Sequence, residues 1–375
     1  MDFQNPIDLN GADRTVRVAN GAADVDAVLS GAITGGFSLI KAGAGTLRLD
    51  SHGNTFAGDL DINSGTVKLG AADVIPNFAV NIRRGGGTND TDGMLDLNGF
   101  SDTIAILSLG DTSTNINNVG QTVSLINTGS NQNAVLTVVG NITYFFGLGL
   151  NLNGKAKISA NISFACVSRT IAVGDGASVD DLEISGAISN GAGLTFSGLG
   201  TTVLSNPANV YTNTGTTGGE TLKLGADNVL GTGTLTLNQG SAGTSTLDLN
   251  GKTHTIEGAI TLSGASTTAL GATNRIIDSA GGGLLRLNSG TVTCQGGSVG
   301  FNNGTTTISA NLDLNSASAA RTFATTAIWF RPARSIRATL TRRVSPSRAT
   351  ATFPAMAVRF STPRFTARPT FFAAW

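Results

Sequence analysis

Two short stretches of sequence decide the fold. Residues 41–49 read KAGAGTLRL, and residues 65–70 read GTVKLG. In both, a Thr precedes alternating apolar and charged residues, and Gly brackets the alternating part. Alternation with a period of two predicts a short β-strand whose apolar side chains share one face. The bracketing Gly residues supply the positive-φ positions that tight turns need.

The same pattern recurs along the chain and defines a candidate core. It returns at residues 221–224 and 234–237, and in a shorter Leu-Asp-Leu form at residues 95–97 and 247–249. The alternation predicts that the apolar members point inward: Leu47, Leu49, Val67, Leu69, Leu95, Leu97, Leu222, Leu224, Leu247 and Leu249. It predicts that the charged members point outward: Arg48, Lys68, Asp96, Lys223 and Asp248.

Composition agrees with an extended, turn-rich β protein. The 375 residues include 50 Gly but only 8 Pro, and charged residues make up only 13%. Abundant Gly with so little Pro excludes a collagen-like chain or a Pro/Gly linker. The scarcity of charged helix-forming residues argues against a helical bundle or a coiled coil.

A long internal repeat is the strongest signal above the level of single strands. Residues 14–75 align without a gap on residues 169–230, with 23 identities in 62 positions. The LDLNG motif at 95–99 recurs at 247–251, and a third copy begins at residue 308. Similarity at a fixed period, built from short strands, is typical of a solenoid. With roughly 20–25 residues per coil, about 14 coils would stack into a rod of the order of 65 Å.

Residues 41–49, the NTFAG stretch at 54–58 and residues 65–70 resemble, in letters and in spacing, the autotransporter-associated beta-strand repeat. A worn copy lies at 198–225, and just before it Phe196 stands in the position of Lys41. The resemblance implies a right-handed parallel β-helix of the pectin-lyase-like kind, in a large exported surface or secreted protein. It does not imply an enzyme. The export signal and the C-terminal membrane β-barrel that usually accompany this repeat are not seen in this sequence.

Acidic residues are candidates for a catalytic set, because some β-helices cleave polysaccharides with carboxylates gathered on adjacent coils. Asp96 and Asp248 recur in one repeat position, which favours a structural role. The densest cluster, Asp180, Asp181 and Glu183, is interpreted as surface charge. The alternative, a β-helix polysaccharide lyase or hydrolase, would need such carboxylates to converge on one face.

Other candidate sites are weaker. The NDTDG stretch at 89–93 resembles the start of a calcium loop but lacks the later acidic ligand. His52 and His254 occupy non-equivalent repeat positions, and Cys166 and Cys294 are interpreted as small buried side chains. The sequence therefore nominates no catalytic, cofactor-binding or metal-binding residue, and no cofactor.

Residues 325–375 break the pattern abruptly. They carry nine Arg, five Pro and no Lys, Asp, Glu or Gly. One interpretation is a basic arm for nucleic acid. The favoured interpretation is translation out of frame, because a shifted frame over residues 351–357 admits Asn-Phe-Ser-Gly-Asn-Gly, a turn like that at 54–59.

We therefore interpret residues 1–324 as a β-helix, with long repeats near 14–104 and 169–256 and a truncated copy from 308. We interpret residues 325–375 as an out-of-frame or disordered tail. The expected function is a non-catalytic structural or adhesive solenoid, a fragment of a larger protein at the cell surface or secreted. Its partner would be an unknown extracellular surface or carbohydrate, with no nucleic acid. We expect no membrane span and no signal peptide in this chain, and open solenoid ends would allow end-to-end self-association.

This division predicts the effect of removing the tail. Because the five prolines and the missing Gly prevent regular coils, truncation after Ala324 should leave the far-ultraviolet circular dichroism of the β-helix nearly unchanged. A cooperative loss of that signal would show that the tail is a terminal cap.

Overall fold

The fold is all-β and built from parallel strands. The computed structural model describes residues 1–83, 91–110, 122–145, 154–239, 243–264, 272–296, 305–314 and 322–326. Its strands in chain order are β1 (Asp2–Phe3), β2 (Ile7–Asp8), β3 (Arg14–Arg17), β4 (Ala27–Leu29), β5 (Ile33–Thr34), β6 (Leu39–Ala42), β7 (Thr46–Leu49), β8 (Leu60–Ile62), β9 (Gly65–Leu69), β10 (Ala79–Ile82), β11 (Gly93–Asp96), β12 (Asp102–Ile104), β13 (Ile106–Gly110), β14 (Thr122–Ile126), β15 (Val135–Val138), β16 (Ile142–Phe145), β17 (Lys155–Ile158), β18 (Asn161–Ser163), β19 (Arg169–Val173), β20 (Leu182–Ile184), β21 (Ile188–Ser189), β22 (Gly191–Gly198), β23 (Thr201–Leu204), β24 (Tyr211–Thr217), β25 (Thr221–Leu224), β26 (Leu235–Asn238), β27 (Gly243–Asp248), β28 (Thr253–Ile256), β29 (Ile260–Gly264), β30 (Ala272–Ile277), β31 (Leu284–Leu287), β32 (Thr291–Gly296), β33 (Thr305–Ile308), β34 (Asn311–Asp313) and β35 (Thr322–Thr326).

The strands stack into two long sheets and an interrupted third face. Sheet 1 has 13 strands, in the order β1-β4-β7-β9-β11-β14-β17-β20-β23-β25-β27-β30-β33. Sheet 2 also has 13, in the order β3-β6-β8-β10-β13-β16-β19-β22-β24-β26-β29-β32-β35. The third face consists of β2-β5, β12-β15-β18-β21 and β28-β31-β34. Every coil contributes one strand to each long sheet, which confirms the parallel β-helix solenoid. Its handedness stays a prediction.

The core is the line of inward side chains that runs along the coils. All ten apolar residues predicted to point inward, from Leu47 to Leu249, are completely buried. Arg48, Lys68 and Lys223 alternate with them and are partly exposed, as predicted. Because each apolar side chain lies above its counterpart in the previous coil, burial continues along the whole rod.

Asp96 and Asp248 alternate with inward leucines, as predicted for outward residues, but both are almost completely buried. Asp96 Oδ1 accepts the amide hydrogens of Asn98 and of Thr128 in the next coil, both at 2.9 Å. Asp248 Oδ1 does the same with Asn250 (2.9 Å) and Ser279 (3.0 Å). These carboxylates cap the turn that follows their strand, and the turn of the next coil covers them.

The long repeat is preserved at the level of single atoms. Asn54 Oδ1 accepts the Ile33 amide at 2.9 Å, and its Nδ2 donates to Val74 O at 2.8 Å. Asn209, at the equivalent position of the second copy, makes the equivalent bonds to Ile188 N (2.9 Å) and Val229 O (2.8 Å). Each Asn thereby joins the start of a strand in the previous coil, β5 or β21, to a turn of the following coil.

Asp102 forms a similar set of hydrogen bonds one coil beyond the Asn54 bridge. Its Oδ2 accepts the amides of Val74 and Ile75 at 3.0 Å, and its Oδ1 accepts that of Thr103 at 2.7 Å. Burial is the main cause that raises the pKa of Asp102 to about 6, against the lowering effect of these donors. The nearby Asp73 adds to the rise.

Coil length varies chiefly at one corner, between sheet 2 and the next strand of sheet 1. In short coils the connection is two or three residues, as between β6 and β7 or between β8 and β9. In long coils it is eight residues or more, as between β13 and β14, β16 and β17 or β32 and β33. Insertions are therefore tolerated on this edge without disturbing the sheets.

The proposed boundary at residue 324 falls inside a strand. β35 pairs with β32 up to Thr326, opposite Gln295, so two residues of the predicted tail still belong to sheet 2. Residues 327–375, with all nine Arg of the tail, lie outside the described part of the chain. The division into a solenoid and an out-of-frame tail stays a prediction.

The two equivalent asparagines allow a matched test. Asn54→Ala leaves the Ile33 amide and the Val74 carbonyl without their partner, which should cost about 2 kcal/mol. Hydrogen exchange should accelerate in the peptide that contains Ile33 and stay unchanged at Ile188. Asn209→Ala should give the reverse pattern. Exchange that changes equally at both places would show that these bonds are not local to each repeat.

Asp102 should make the fold less stable as the pH rises. Its pKa in the folded chain, about 6, exceeds its ordinary value of 3.8, so its contribution is fully present below pH 3.8 and is lost between about pH 4 and 6. The stability difference between wild type and Asp102→Asn in urea unfolding should therefore shift against wild type by about 2 kcal/mol from pH 4 to pH 7. A pH-independent difference would contradict the assignment. Taking the difference also cancels the opposite trend from buried His254.

Candidate functional site

The acidic cluster around residue 181 is the best sequence candidate for catalysis, and its three carboxylates have separate structural partners. Asp180 forms an ion pair with Lys223 at 3.1 Å. Glu183 forms one with Lys155 at 3.5 Å. Asp181 is only 1% exposed. The cluster therefore includes partly exposed charge, as predicted, and one buried member that the prediction missed.

Asp181 closes a turn. Its two oxygens accept the amides of Gly176 (2.9 Å) and Thr201 (2.8 Å). Asp26, one repeat earlier, accepts the amides of Gly21 and Thr46 in the same way. Burial raises the pKa of Asp181 to about 6. Such a pKa suits a general acid, but this carboxyl is closed off from any substrate.

The two histidines lie in different environments. His52 is exposed in a turn. His254 is completely buried in β28, and burial lowers its pKa to about 4, against a smaller opposing effect of the Gly231 backbone. The ring of His254 is therefore neutral at neutral pH. The two residues are not brought together as an acid–base pair, because they belong to different coils.

Of the calcium-loop candidate, Asn89 and Asp90 lie outside the described residues. Asp92 Oδ2 accepts the amide of Thr122 in the next coil. Among the described residues, no group of three His, Cys, Asp or Glu side chains is arranged to hold a metal ion.

The cysteines were predicted to be buried, and Cys166 is instead exposed. It lies in a turn where Ala165 and Cys166 both have positive φ (51° and 62°), a geometry that takes it out of the inward-facing register. Cys294 is half-buried, and burial raises the pKa of its thiol.

Sequence reasoning missed a buried cation. Lys41 is completely buried, and its Nζ donates to the carbonyls of Gly43 (2.7 Å), Ser64 (2.9 Å) and Ala42 (3.1 Å). Its ammonium satisfies turn carbonyls of two successive coils. The signal was available, because Lys41 shares the inward register of Leu39.

The outer surface carries a row of apolar side chains at, or just before, the first residues of strands in sheet 2. Each is between 36% and 45% exposed, and successive members lie on neighbouring or next-neighbouring coils. We call this row the apolar edge: Phe37, Phe78, Ile106, Val139 and Val167. Exposed apolar side chains that recur at one corner of successive coils mark candidate binding surfaces.

None of the described residues forms a helix that could cross a membrane. Searches of curated proteins and of solved structures return no significant match to the chain. One family does match: residues 39–69 fit the passenger-associated-transport-repeat. This match covers β6 to β9 and includes Lys41 and Asn54. It therefore identifies this segment as a passenger-type repeat, consistent with the passenger region of an autotransporter.

Proposed function

We propose that the chain is a non-catalytic structural or adhesive rod, part of a larger protein that is secreted or held at the cell surface. The observation that carries the proposal is the passenger-type repeat at residues 39–69 within a continuous solenoid. The contacts of that segment recur in the second copy at Asn209, so the same architecture extends well beyond the matched segment.

The use of the acidic residues supports a non-catalytic role. Cleavage of a polysaccharide needs an acid and a base that both reach the sugar. Asp181 binds turn amides inside the rod, while Asp180 and Glu183 are each paired with a Lys on the outer face of sheet 1. The exposed carboxylates of this cluster therefore form ion pairs between coils.

The apolar edge supports an adhesive role. Its side chains are presented on a rigid scaffold, so little conformational entropy is lost when a partner covers them. Its spacing follows the coil repeat, which suits an extended partner such as an extracellular surface or a carbohydrate chain.

Binding without turnover is the expected outcome. The purified chain should release no unsaturated product and no reducing ends from polygalacturonate or alginate, because Asp181 binds turn amides inside the rod and Asp180 and Glu183 are paired with lysines. On immobilised polysaccharides and extracellular-matrix proteins, a ligand that binds wild type should bind a Phe78→Ser/Ile106→Ser variant roughly tenfold more weakly, since truncating two anchors removes about 1.4 kcal/mol.

Val179→Ser is the matched control, because Val179 is exposed but lies at a different corner of the rod. Equal loss of binding in this variant would argue against the apolar edge. Polysaccharide turnover that disappears in Asp180→Asn, Asp181→Asn or Glu183→Gln would overturn the proposal in favour of an enzyme.

A further inference from the structure

Four completely buried polar side chains meet at one corner of three successive coils. Gln239, just after β26, and Ser245, in β27, belong to the middle coil. Glu220 belongs to the coil before, where its carbonyl accepts the Thr246 amide at 2.9 Å. Asn274 belongs to the coil after and is the direct sheet partner of Ser245. A Cβ on Gly243 would lie 2.6 Å from Gln239 Nε2, so the Gln239 side chain reaches across to the start of β27.

Most polar atoms of this corner have no hydrogen-bond partner in the described structure. Glu220 Oε1 accepts the hydroxyl of Thr202 at 2.7 Å, but Oε2 has no partner. The Ser245 hydroxyl and both amide atoms of Gln239 and of Asn274 are also unpaired. Buried polar atoms without partners are costly, and native proteins satisfy them with water or with a bound ion.

The first copy of the repeat shows what the corner can bind. There the position of Glu220 is taken by Gly65, and a Cβ on Gly65 would lie 2.8 Å from Lys41 Nζ. The ammonium of Lys41 occupies this part of the rod, among the carbonyls of Gly43 and Ser64. In the second copy Phe196 replaces Lys41 and Glu220 replaces Gly65. A built-in cation is thus exchanged for a carboxylate whose second oxygen has no partner among the residues that the structure describes.

The donor atoms favour a hard, singly charged ion. Glu220 Oε2, Gln239 Oε1, Ser245 Oγ and Asn274 Oδ1 are all oxygens, the donor type that hard cations prefer. Glu220 is the one carboxylate among these four residues and can balance one positive charge. Asp181, whose charge acts on Glu220, has both oxygens occupied by the amides of Gly176 and Thr201. A divalent ion would therefore leave an uncompensated charge in the interior.

We propose that Glu220, Gln239, Ser245 and Asn274 form an internal binding site for an alkali cation, sodium or potassium. The cation supplies the positive charge that the Lys41 ammonium supplies in the first copy.

Thermal unfolding of the full chain at pH 8 tests the site. The midpoint in NaCl or KCl should lie about 2–4 °C above that in N-methyl-D-glucamine chloride of the same ionic strength. Glu220→Gln should abolish this difference, whereas Glu257→Gln, at an exposed carboxyl, should keep it. The better of the two alkali ions identifies the preferred occupant.

A double variant separates loss of the site from loss of the fold. Phe196→Lys/Glu220→Gly restores the residues of the first copy, and its melting temperature should no longer depend on the alkali cation. Equal melting temperatures of wild type in all three salts, or a sodium or potassium effect that survives in Glu220→Gln, would overturn the proposal. Stabilisation of wild type by CaCl2 but not by the alkali salts would also overturn it.

Discussion

The structure depends on the hydrogen bonding of each coil to the coils before and after it. A short β-strand buries little by itself, and its amides and carbonyls need partners outside it. Here those partners come from strands in the adjacent coils, so that β7, for example, lies between β4 and β9 in sheet 1. Stability is therefore a property of the stack, with each coil contributing mainly through its interfaces.

In the turns, the bonding between coils requires particular side chains. Strands can pair through the backbone alone, but a turn leaves polar groups that only a side chain of suitable shape can reach. Asp96 and Asp181 each bond amides of their own and a neighbouring coil. Asn54 bonds an amide of the previous coil and a carbonyl of the following coil. The recurrence of these bonds in the second copy shows that the turns are as constrained as the apolar core.

Local pattern was enough to predict the strands, the apolar core and the solenoid. The Thr-Leu-x-Leu alternation fixes which face of a strand is buried, and that information lies within the strand itself. The burial of Asp96 and Glu220 was not predictable in the same way, because it depends on which residues the next coil places over them. That register is set by the lengths of connections elsewhere in the two coils. Lys41 is intermediate: its face could be read from the alternation, but its carbonyl partners could not.

The long repeat also bears on how such a rod can change its length. One unit, from β4 to β20, advances sheet 1 by six strands, or about 29 Å at the usual strand spacing. A duplicated unit carries its own turn-bridging side chains. The interface between two units is therefore built from the same kind of coil-to-coil contacts as the interior of each unit. Duplication or loss of a unit then changes the length of the rod without changing the coils at its two ends. Length can evolve separately from the surface that the rod presents.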